Sequence, residues 1–324
     1  MTTGEALYPP IEPYDRREID VGDGHVLYVE QCGRPGGVPV VFLHGGPGSG
    51  CNPGQRRLFD PARFRVVLFD QRGAGRSTPR RSLRANTTDH LVADIERIRT
   101  ALGVDRWMVV GGSWGAALAV AYAEAFPERV TAIVLRAVFL GSAGEVDWAF
   151  TGAAPTFRPE LWRAFVELLP AAERGDPIKS YGARLEHPDP AVHRPAAQAW
   201  YGYERALAEL QPKESGLPAS LDGTVGGNDT GPNSPYFEWH YVKHRFFLPP
   251  GQLLDNAGSL ADIPGIIVQG RYDLLCPPVT ACRLAARWPA ARLRLVPAAG
   301  HDAAEPDIQS ALLAAIRDAA AEMA

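Results

Sequence analysis

Hydrophobic residues in the first half of the chain form short continuous runs, and helical patterns separate these runs. The segment Thr88–Gly103 repeats apolar side chains at helical spacing, and Trp114–Phe126 is rich in alanine. Nearly all-apolar runs that alternate with helices are typical of a parallel sheet covered on both faces. The predicted strands are His25–Gly33, Val38–Gly45, Phe64–Gly73, Arg106–Gly112 and Val130–Val138.

The alternation stops near residue 140 and resumes near residue 257. The interruption holds helical, aromatic-rich pieces and then a Gly/Asn/Pro-rich stretch over 217–235. A helical insertion between two parts of one sheet indicates a cap or lid. We therefore predict an α/β-hydrolase type of fold, a mostly parallel sheet with helices on both faces and an inserted helical cap. Its core comprises residues 1–139 and 257–324, and its cap comprises residues 140–256.

Composition and charge exclude several classes of partner. The net charge is −4, the pI is about 6.1, and Lys and Arg are scattered along the chain. This pattern favours neither nucleic acid nor an anionic membrane as a partner. No apolar run approaches the length of a membrane span, and the first residues lack the pattern of a secretory signal. The four cysteines have no metal-binding spacing, so we expect free thiols, a cytoplasmic protein, no metal and no cofactor.

A candidate nucleophile lies in GGSWG, residues 111–115, which fits the G-x-S-x-G pattern with Ser113 at its centre. A predicted strand precedes the motif and a predicted helix follows it, which is the context that this motif requires. The flanking glycines permit a sharp turn, and the helix N-terminus supplies free N–H groups. We interpret Ser113 as a catalytic nucleophile.

A serine nucleophile requires a base, and the base requires an acid that orients it. Asp273 ends one predicted C-terminal strand and His301 ends the next, in the Ser–Asp–His order of α/β-hydrolases. All three then lie at the carboxyl edge of one sheet, where ligand sites of such sheets occur. Asp302 adjoins the histidine and would point elsewhere, and Asp262 precedes its strand.

The glycine-rich stretch VFLHGGPGSG, Val41–Gly50, allows either a phosphate-binding loop or an oxyanion hole. No lysine follows Gly50, and no helix start follows it, so the phosphate pattern is incomplete. An oxyanion hole requires only backbone N–H groups that face the serine, and we expect Gly46 and Trp114 to donate them. His44, the other candidate base, lies on this loop, where we expect it to shape the loop.

Several longer stretches carry a more specific resemblance. They are HGGPGSGCNP, FDQRGAGRSTP, GGSWG, FPERV, IPGIIVQGRYDLLCP and AGHDAAEP. With these stretches the chain resembles the proline iminopeptidases, serine aminopeptidases of the α/β-hydrolase superfamily, over residues 8–310. The resemblance implies that Ser113, Asp273 and His301 form the catalytic triad. It also implies that the enzyme removes N-terminal proline from peptides without a metal.

Two glutamates are candidates for recognising a free N-terminus. Glu204 shares a helical face with Trp200, and a carboxylate on an apolar face is costly unless it meets a cation. Glu238 is likewise surrounded by aromatic residues. The resemblance assigns both to the substrate's α-amino group, and a prolinium ion has two N–H bonds that two carboxylates can accept. The alternative is a structural ion pair with Arg136 or Arg245.

The acyl pocket departs from the family pattern. Phe139 and Phe150 keep the usual aromatic rings, and Cys276 is a further expected pocket residue. Ala149 stands where a tyrosine is usual, and Val242 stands where a phenylalanine is usual. Smaller side chains at two positions should enlarge or reshape the pocket and relax a strict preference for proline.

Three hypotheses of function follow. The first is a serine exopeptidase that releases N-terminal proline, or a similar small residue, from a small peptide or amide through an acyl-enzyme. The second is an amidase, esterase or acyl-transfer enzyme on the same scaffold with altered acyl-pocket specificity. The third is a hydrolase-like binding protein without turnover, against which the complete Ser–Asp–His set argues.

Overall fold

A computed structural model of the chain describes residues 6–211, 216–221 and 231–322. Within these residues one sheet has eight strands in the order β1-β2-β4-β3-β5-β6-β7-β8. The pairs β1–β2 and β2–β4 are antiparallel, and the remaining pairs are parallel. The strands are β1 (Asp15–Gly22), β2 (His25–Gly33), β3 (Val38–Leu43), β4 (Phe64–Phe69), β5 (Trp107–Ser113), β6 (Val130–Val138), β7 (Gly265–Gly270) and β8 (Ala291–Val296).

Helices cover both faces of the sheet. In β3, alternate residues point to opposite faces, so Val41 packs in one hydrophobic cluster and Val40 in another. The helices are α1 (Pro53–Arg56), α2 (Thr88–Ala101), α3 (Trp114–Ala125), α4 (Ala143–Asp147), α5 (Ala153–Phe157), α6 (Pro159–Glu167), α7 (Pro177–Leu185), α8 (Pro190–Ala208), α9 (Ser234–Lys243), α10 (Gln252–Asp255), α11 (Pro278–Arg287) and α12 (Pro306–Ala321). Helices α2, α3 and α11 contribute to the first cluster and α12 to the second. The predicted α/β architecture is confirmed.

The segment between β6 and β7 has a hydrophobic cluster of its own. At its centre the ring of Phe165 stacks on Tyr181 at 4.1 Å and on Tyr203 at 4.3 Å between ring centroids. Trp200 and Phe150 extend this cluster toward the sheet. Part of the Gly/Asn/Pro-rich stretch, residues 222–230, lies outside the described residues.

The strand boundaries differ from the predicted ones in two ways. The strands predicted to reach Gly45 and Gly73 end earlier, at Leu43 and Phe69, because the glycine-containing turns begin there. The strands predicted to end at Asp273 and His301 likewise stop at Gly270 and Val296, so both residues lie in the loops that follow. The edge strand β1 was not predicted, since most of its side chains are exposed and its sequence lacks an apolar run. Its pairing with β2 alone places it in the sheet.

Two sequence-based expectations concern the whole molecule. Among the described helices, none combines the length and apolar composition that a membrane span requires. The four cysteines, Cys32, Cys51, Cys276 and Cys282, are free thiols as expected.

Candidate active site

Ser113 lies at the sharp turn between β5 and α3. Its φ of 57° and ψ of −124° lie in a region that L-residues rarely adopt, and such strain is typical of a nucleophile turn. The glycines on either side of Ser113 are required because neighbouring backbone atoms leave no room for a Cβ there. A Cβ on Gly111 would lie 2.2 Å from the Gly115 carbonyl oxygen, and a Cβ on Gly115 would lie 2.1 Å from that of Leu43. The motif therefore packs strand, turn and helix closer than other residues allow.

Asp273 and His301 lie in the loops that follow β7 and β8, and both are buried. The Nδ1 atom of His301 lies 3.0 and 2.9 Å from the two carboxylate oxygens of Asp273. The backbone N–H groups of Leu275 and Cys276 donate to Asp273 at 3.0 and 2.8 Å, and Gln269 donates at 3.2 Å. These donors hold the Asp273 carboxylate in place, and its contact with Nδ1 orients the imidazole of His301.

Cys276 brings the serine and the Asp–His pair together. It lines the same cavity as Ser113, and its sulfur lies within 4.8 Å of ligand atoms of both Asp273 and His301. Burial and the Asp273 charge raise the pKa of this thiol well above its usual value. The Asp273 oxygens already contact His301, Gln269 and the backbone N–H groups of Leu275 and Cys276, an arrangement that suits proton transfer through His301.

The glycine loop after β3 is fastened to the serine turn by a hydrogen-bond network. The Gln71 backbone N–H donates to Nε2 of His44 at 3.0 Å, and the His44 carbonyl accepts from the Gln71 side chain at 2.9 Å. Nε1 of Trp114 donates to the Gln71 side chain at 3.0 Å. Burial lowers the pKa of His44, which favours the neutral ring that this network requires. His44 thus has the loop-shaping position expected from the sequence.

One small cavity of about 80 Å³ brings together most of the residues singled out in the sequence. It lies between the carboxyl edge of the sheet and helices of the β6–β7 segment. The predicted residues that line it are Gly46, Ser113, Trp114, Phe139, Ala149, Phe150, Glu204, Glu238, Val242 and Cys276. Asp273 and His301 do not line it. The serine and the proposed specificity residues therefore face the same space.

Further cavity residues were missed in the sequence. They are Pro47, Glu145, Val146, Phe246 and Leu275. Phe246 packs its ring against Phe139 at 4.9 Å, in a turn where Arg245, Phe246 and Phe247 all have positive φ. No periodic pattern marks such a turn. Glu145 had a detectable signal, because S-x-x-E at Ser142 forms the capping box that starts α4.

Glu204 on α8 and Glu238 on α9 form a carboxyl pair at the cavity wall. Glu238 is buried and accepts a 2.6 Å hydrogen bond from Nε1 of Trp200, while Glu204 keeps part of its surface open to the cavity. Burial, and then the charge of Glu238, raises the pKa of Glu204 well above its usual value. Burial also raises the pKa of Glu238. The pair therefore holds a proton more tightly than separate glutamates would.

The alternative to amine binding was an ion pair between these glutamates and an arginine. The structure places Arg136, one of the two arginines considered, elsewhere. The Arg136 guanidinium donates to the backbone oxygen of His301 and packs against Gly112. The alternative in which Arg136 pairs with a glutamate is therefore wrong, because this side chain extends from β6 to the backbone of His301. Within the described part of the chain, Glu204 and Glu238 have no ion pair with an arginine. The cavity thus presents two carboxyl groups without a protein cation.

Comparison with known proteins agrees with this geometry. A family described as alpha/beta hydrolase fold matches residues 38–307. A proline iminopeptidase of Xylella fastidiosa is 45% identical over 317 residues, covering 95% of this chain and 97% of that protein. A proline iminopeptidase of Arabidopsis thaliana is 44% identical over 310 residues, covering 95% and 80%.

A solved structure with a lower sequence identity is also similar to this chain. The crystal structure of a proline iminopeptidase-related protein from Thermus thermophilus has a TM-score of 0.60 and 26% identity. The match covers 95% of this chain and 98% of that one. With the strained serine turn, the buried Asp–His pair and these relatives together, the chain belongs to the proline iminopeptidase family of α/β-hydrolases.

Proposed function

We propose that this protein is a serine exopeptidase that releases N-terminal proline, or a similar small residue, from small peptides and amides. The observation that carries the proposal is the cavity of about 80 Å³, which Ser113 and the two carboxyl groups of Glu204 and Glu238 line together. A nucleophile and a cation-binding pair in one small space suit the removal of a single residue with a free amine.

Ser113 attacks the carbonyl carbon of the N-terminal residue. His301 accepts the serine proton at Nε2 and then gives it to the leaving amine, while Asp273 holds the ring through Nδ1. The backbone N–H groups of Gly46 and Trp114 stabilise the oxyanion. Water then attacks the acyl-enzyme with the same histidine as base. Serine, acid and base suffice for this cycle, so the proposal includes no metal and no cofactor.

Recognition of the free amine falls to Glu204 and Glu238. A prolinium nitrogen carries two N–H bonds, and each carboxyl group accepts one of them. The cation also compensates for the negative charge that burial otherwise disfavours. A blocked or neutral amine leaves this cost uncompensated, which restricts cleavage to the N-terminal residue.

The acyl group contacts Phe139, Phe150 and the small side chains Ala149 and Val242. The small pair favours a second candidate, an amidase, esterase or acyl-transfer enzyme with a reshaped acyl pocket. The two candidates differ in their need for a free amine. A panel of prolyl, alanyl and N-acylated prolyl arylamides with simple esters separates them.

The test uses this panel with the wild-type protein and Ser113→Ala. We expect turnover of the prolyl arylamide by the wild type, and a loss of about 10⁴- to 10⁶-fold in the variant with the fold retained by circular dichroism. Unchanged turnover in Ser113→Ala would refute the mechanism. Equal turnover of the N-acylated substrate would refute the role of the glutamates and favour the second candidate.

We also propose that residues 140–256 act as a cap on a core of 1–139 and 257–324. The separate aromatic cluster of this segment supports that division. Free cysteines support a reducing compartment, the cytoplasm, as the place of action. The net charge of −4 supports a small peptide or amide, rather than nucleic acid or membrane, as the partner.

A further inference from the structure

A second, larger cavity adjoins the one that holds the serine. Its volume is about 700 Å³, within the range of roughly 300–1,000 Å³ that is typical of ligand sites. Glu145 lines both cavities. Leu274 lines the larger cavity, and its neighbour Leu275 lines the smaller one. Likewise, Trp148 lines the larger cavity and Ala149 lines the smaller one. The two spaces are thus separated by the thickness of single residues.

The walls of the larger cavity, which we call the arginine groove, are mainly apolar and open to solvent. Phe157 is 57% exposed, Tyr272 is 58% exposed and Val279 is 50% exposed, although all three are large apolar or aromatic side chains. Exposed apolar side chains that gather around one groove mark a binding surface more often than scattered ones do. Such walls suit the side chains of a peptide.

The arginine groove also contains three arginines. Arg158, Arg271 and Arg283 line it, and Arg158 pairs with Glu160 at 3.1 Å. Across the described ranges, the guanidinium groups of Arg271 and Arg283 have no hydrogen-bond or ion-pair partner. Three acidic residues also line the groove, and each has its own partner: Glu145 accepts hydrogen bonds from Ser142, Glu209 pairs with Arg205, and Asp273 pairs with His301. Arg271 and Arg283 therefore face the groove with no carboxylate paired to either of them.

We propose that the arginine groove binds the part of the peptide that leaves, and that Arg271 and Arg283 bind its C-terminal carboxylate. This inference rests on the proposed function and specifies its substrate class, short peptides with a free C-terminus. Such a substrate has a cation at one end, for Glu204 and Glu238, and an anion at the other. An extended residue spans about 3.3–3.6 Å, so each added residue moves the C-terminal carboxylate by that distance, and only chains of limited length place it at the two arginines.

The experiment compares the tripeptide Pro-Leu-Gly as the free acid with its C-terminal amide, by kcat/KM for proline release. The wild type should prefer the acid by about five- to ten-fold, as expected for partly exposed charge-assisted contacts. In the double variant Arg271→Gln, Arg283→Gln this ratio should fall to about one, through a higher KM for the acid. The control is Arg287→Gln, on the same helix as Arg283 but ion-paired with Asp255 at 2.7 Å outside the groove, which should keep the ratio.

Equal kcat/KM for acid and amide in the wild type would overturn the proposal, and so would a double variant that keeps the preference. The same loss in Arg287→Gln would show a general charge effect and would also overturn it. A prolyl arylamide has no carboxylate, so its turnover by the wild type tests the proposed function alone. Arylamide turnover without an acid preference would refute only the role of the groove.

Discussion

The cavity is built from two regions that hold their side chains by different means. At the sheet edge, the backbone fixes Ser113 in a strained turn, and backbone N–H groups fix Asp273. In the segment between β6 and β7, Glu204 and Glu238 come from separate helices and are positioned by packing around Trp200. One region is specified by local backbone geometry, the other by contacts between distant side chains.

This difference indicates which region should control the rate of the chemical step and which should control the choice of substrate in the proposed enzyme. Changes at the sheet edge should affect the chemical step for every substrate, because the reacting groups are there. Changes in the helical segment should affect which substrate is accepted. The following predictions test this separation, from the largest expected effect to the smallest.

Replacement of Asp273 by asparagine should have the largest effect. The amide removes the charge that stabilises the imidazolium and favours the wrong tautomer of His301, so kcat should fall by about 10⁴-fold. Steady-state kinetics on a prolyl arylamide measures this loss. The matched control is Asp302→Asn, at a neighbouring aspartate that pairs with Arg205 at 3.3 Å. If both variants lose activity equally, Asp273 has no special role.

Glu238→Gln should weaken recognition of the amine. The glutamine still accepts the Trp200 hydrogen bond but loses the charge, so kcat/KM for the prolyl arylamide should fall by about 100-fold. The loss should appear mainly in KM, and discrimination against the N-acylated substrate should shrink. The control Glu167→Gln changes an exposed carboxylate of α6. Unaltered discrimination in Glu238→Gln would contradict the assignment.

Ala149→Tyr should narrow the acyl pocket. The added ring occupies space beside Phe150, so the ratio of kcat/KM for prolyl over phenylalanyl arylamide should rise by about ten-fold. Ala164→Tyr, at an exposed position of α6, serves as the control for the added ring itself. A ratio that stays constant in Ala149→Tyr would show that Ala149 does not limit the acyl group.

The smallest expected effect is the change that Glu204→Gln makes in the pH dependence of thermal stability. The pKa of Glu204 is raised in the folded state, so at pH values above the ordinary pKa of about 4.5 the folded protein keeps a proton that the unfolded chain releases. The contribution of Glu204 to the free energy of unfolding is therefore fully present below that pH and is lost as pH rises through the raised pKa. Thermal unfolding of the free protein should show a steeper fall of Tm with rising pH in the wild type than in Glu204→Gln. Parallel Tm curves would refute the raised pKa.

The parts that sequence analysis identified correctly share a local origin. Apolar runs located β2 to β6, and the glycines around Ser113 located the turn, because a sharp turn leaves a pattern within a few residues. The strand β1 was missed because an exposed edge strand needs no apolar run. The alternative that paired Arg136 with a glutamate was wrong, since the direction of a side chain from a strand depends on the twist and register of the whole sheet.

The sequence by itself determined the α/β architecture, the Ser–Asp–His order and the need of Glu204 and Glu238 for a cation. These follow from periodicity, residue chemistry and the resemblance to a known family. Only the tertiary structure decided that both glutamates line one small cavity with the serine, that Phe246 also lines it, and that an arginine groove adjoins it. The physical reason is that cavities form between elements far apart in the chain, and no local pattern encodes the space that such elements leave between them.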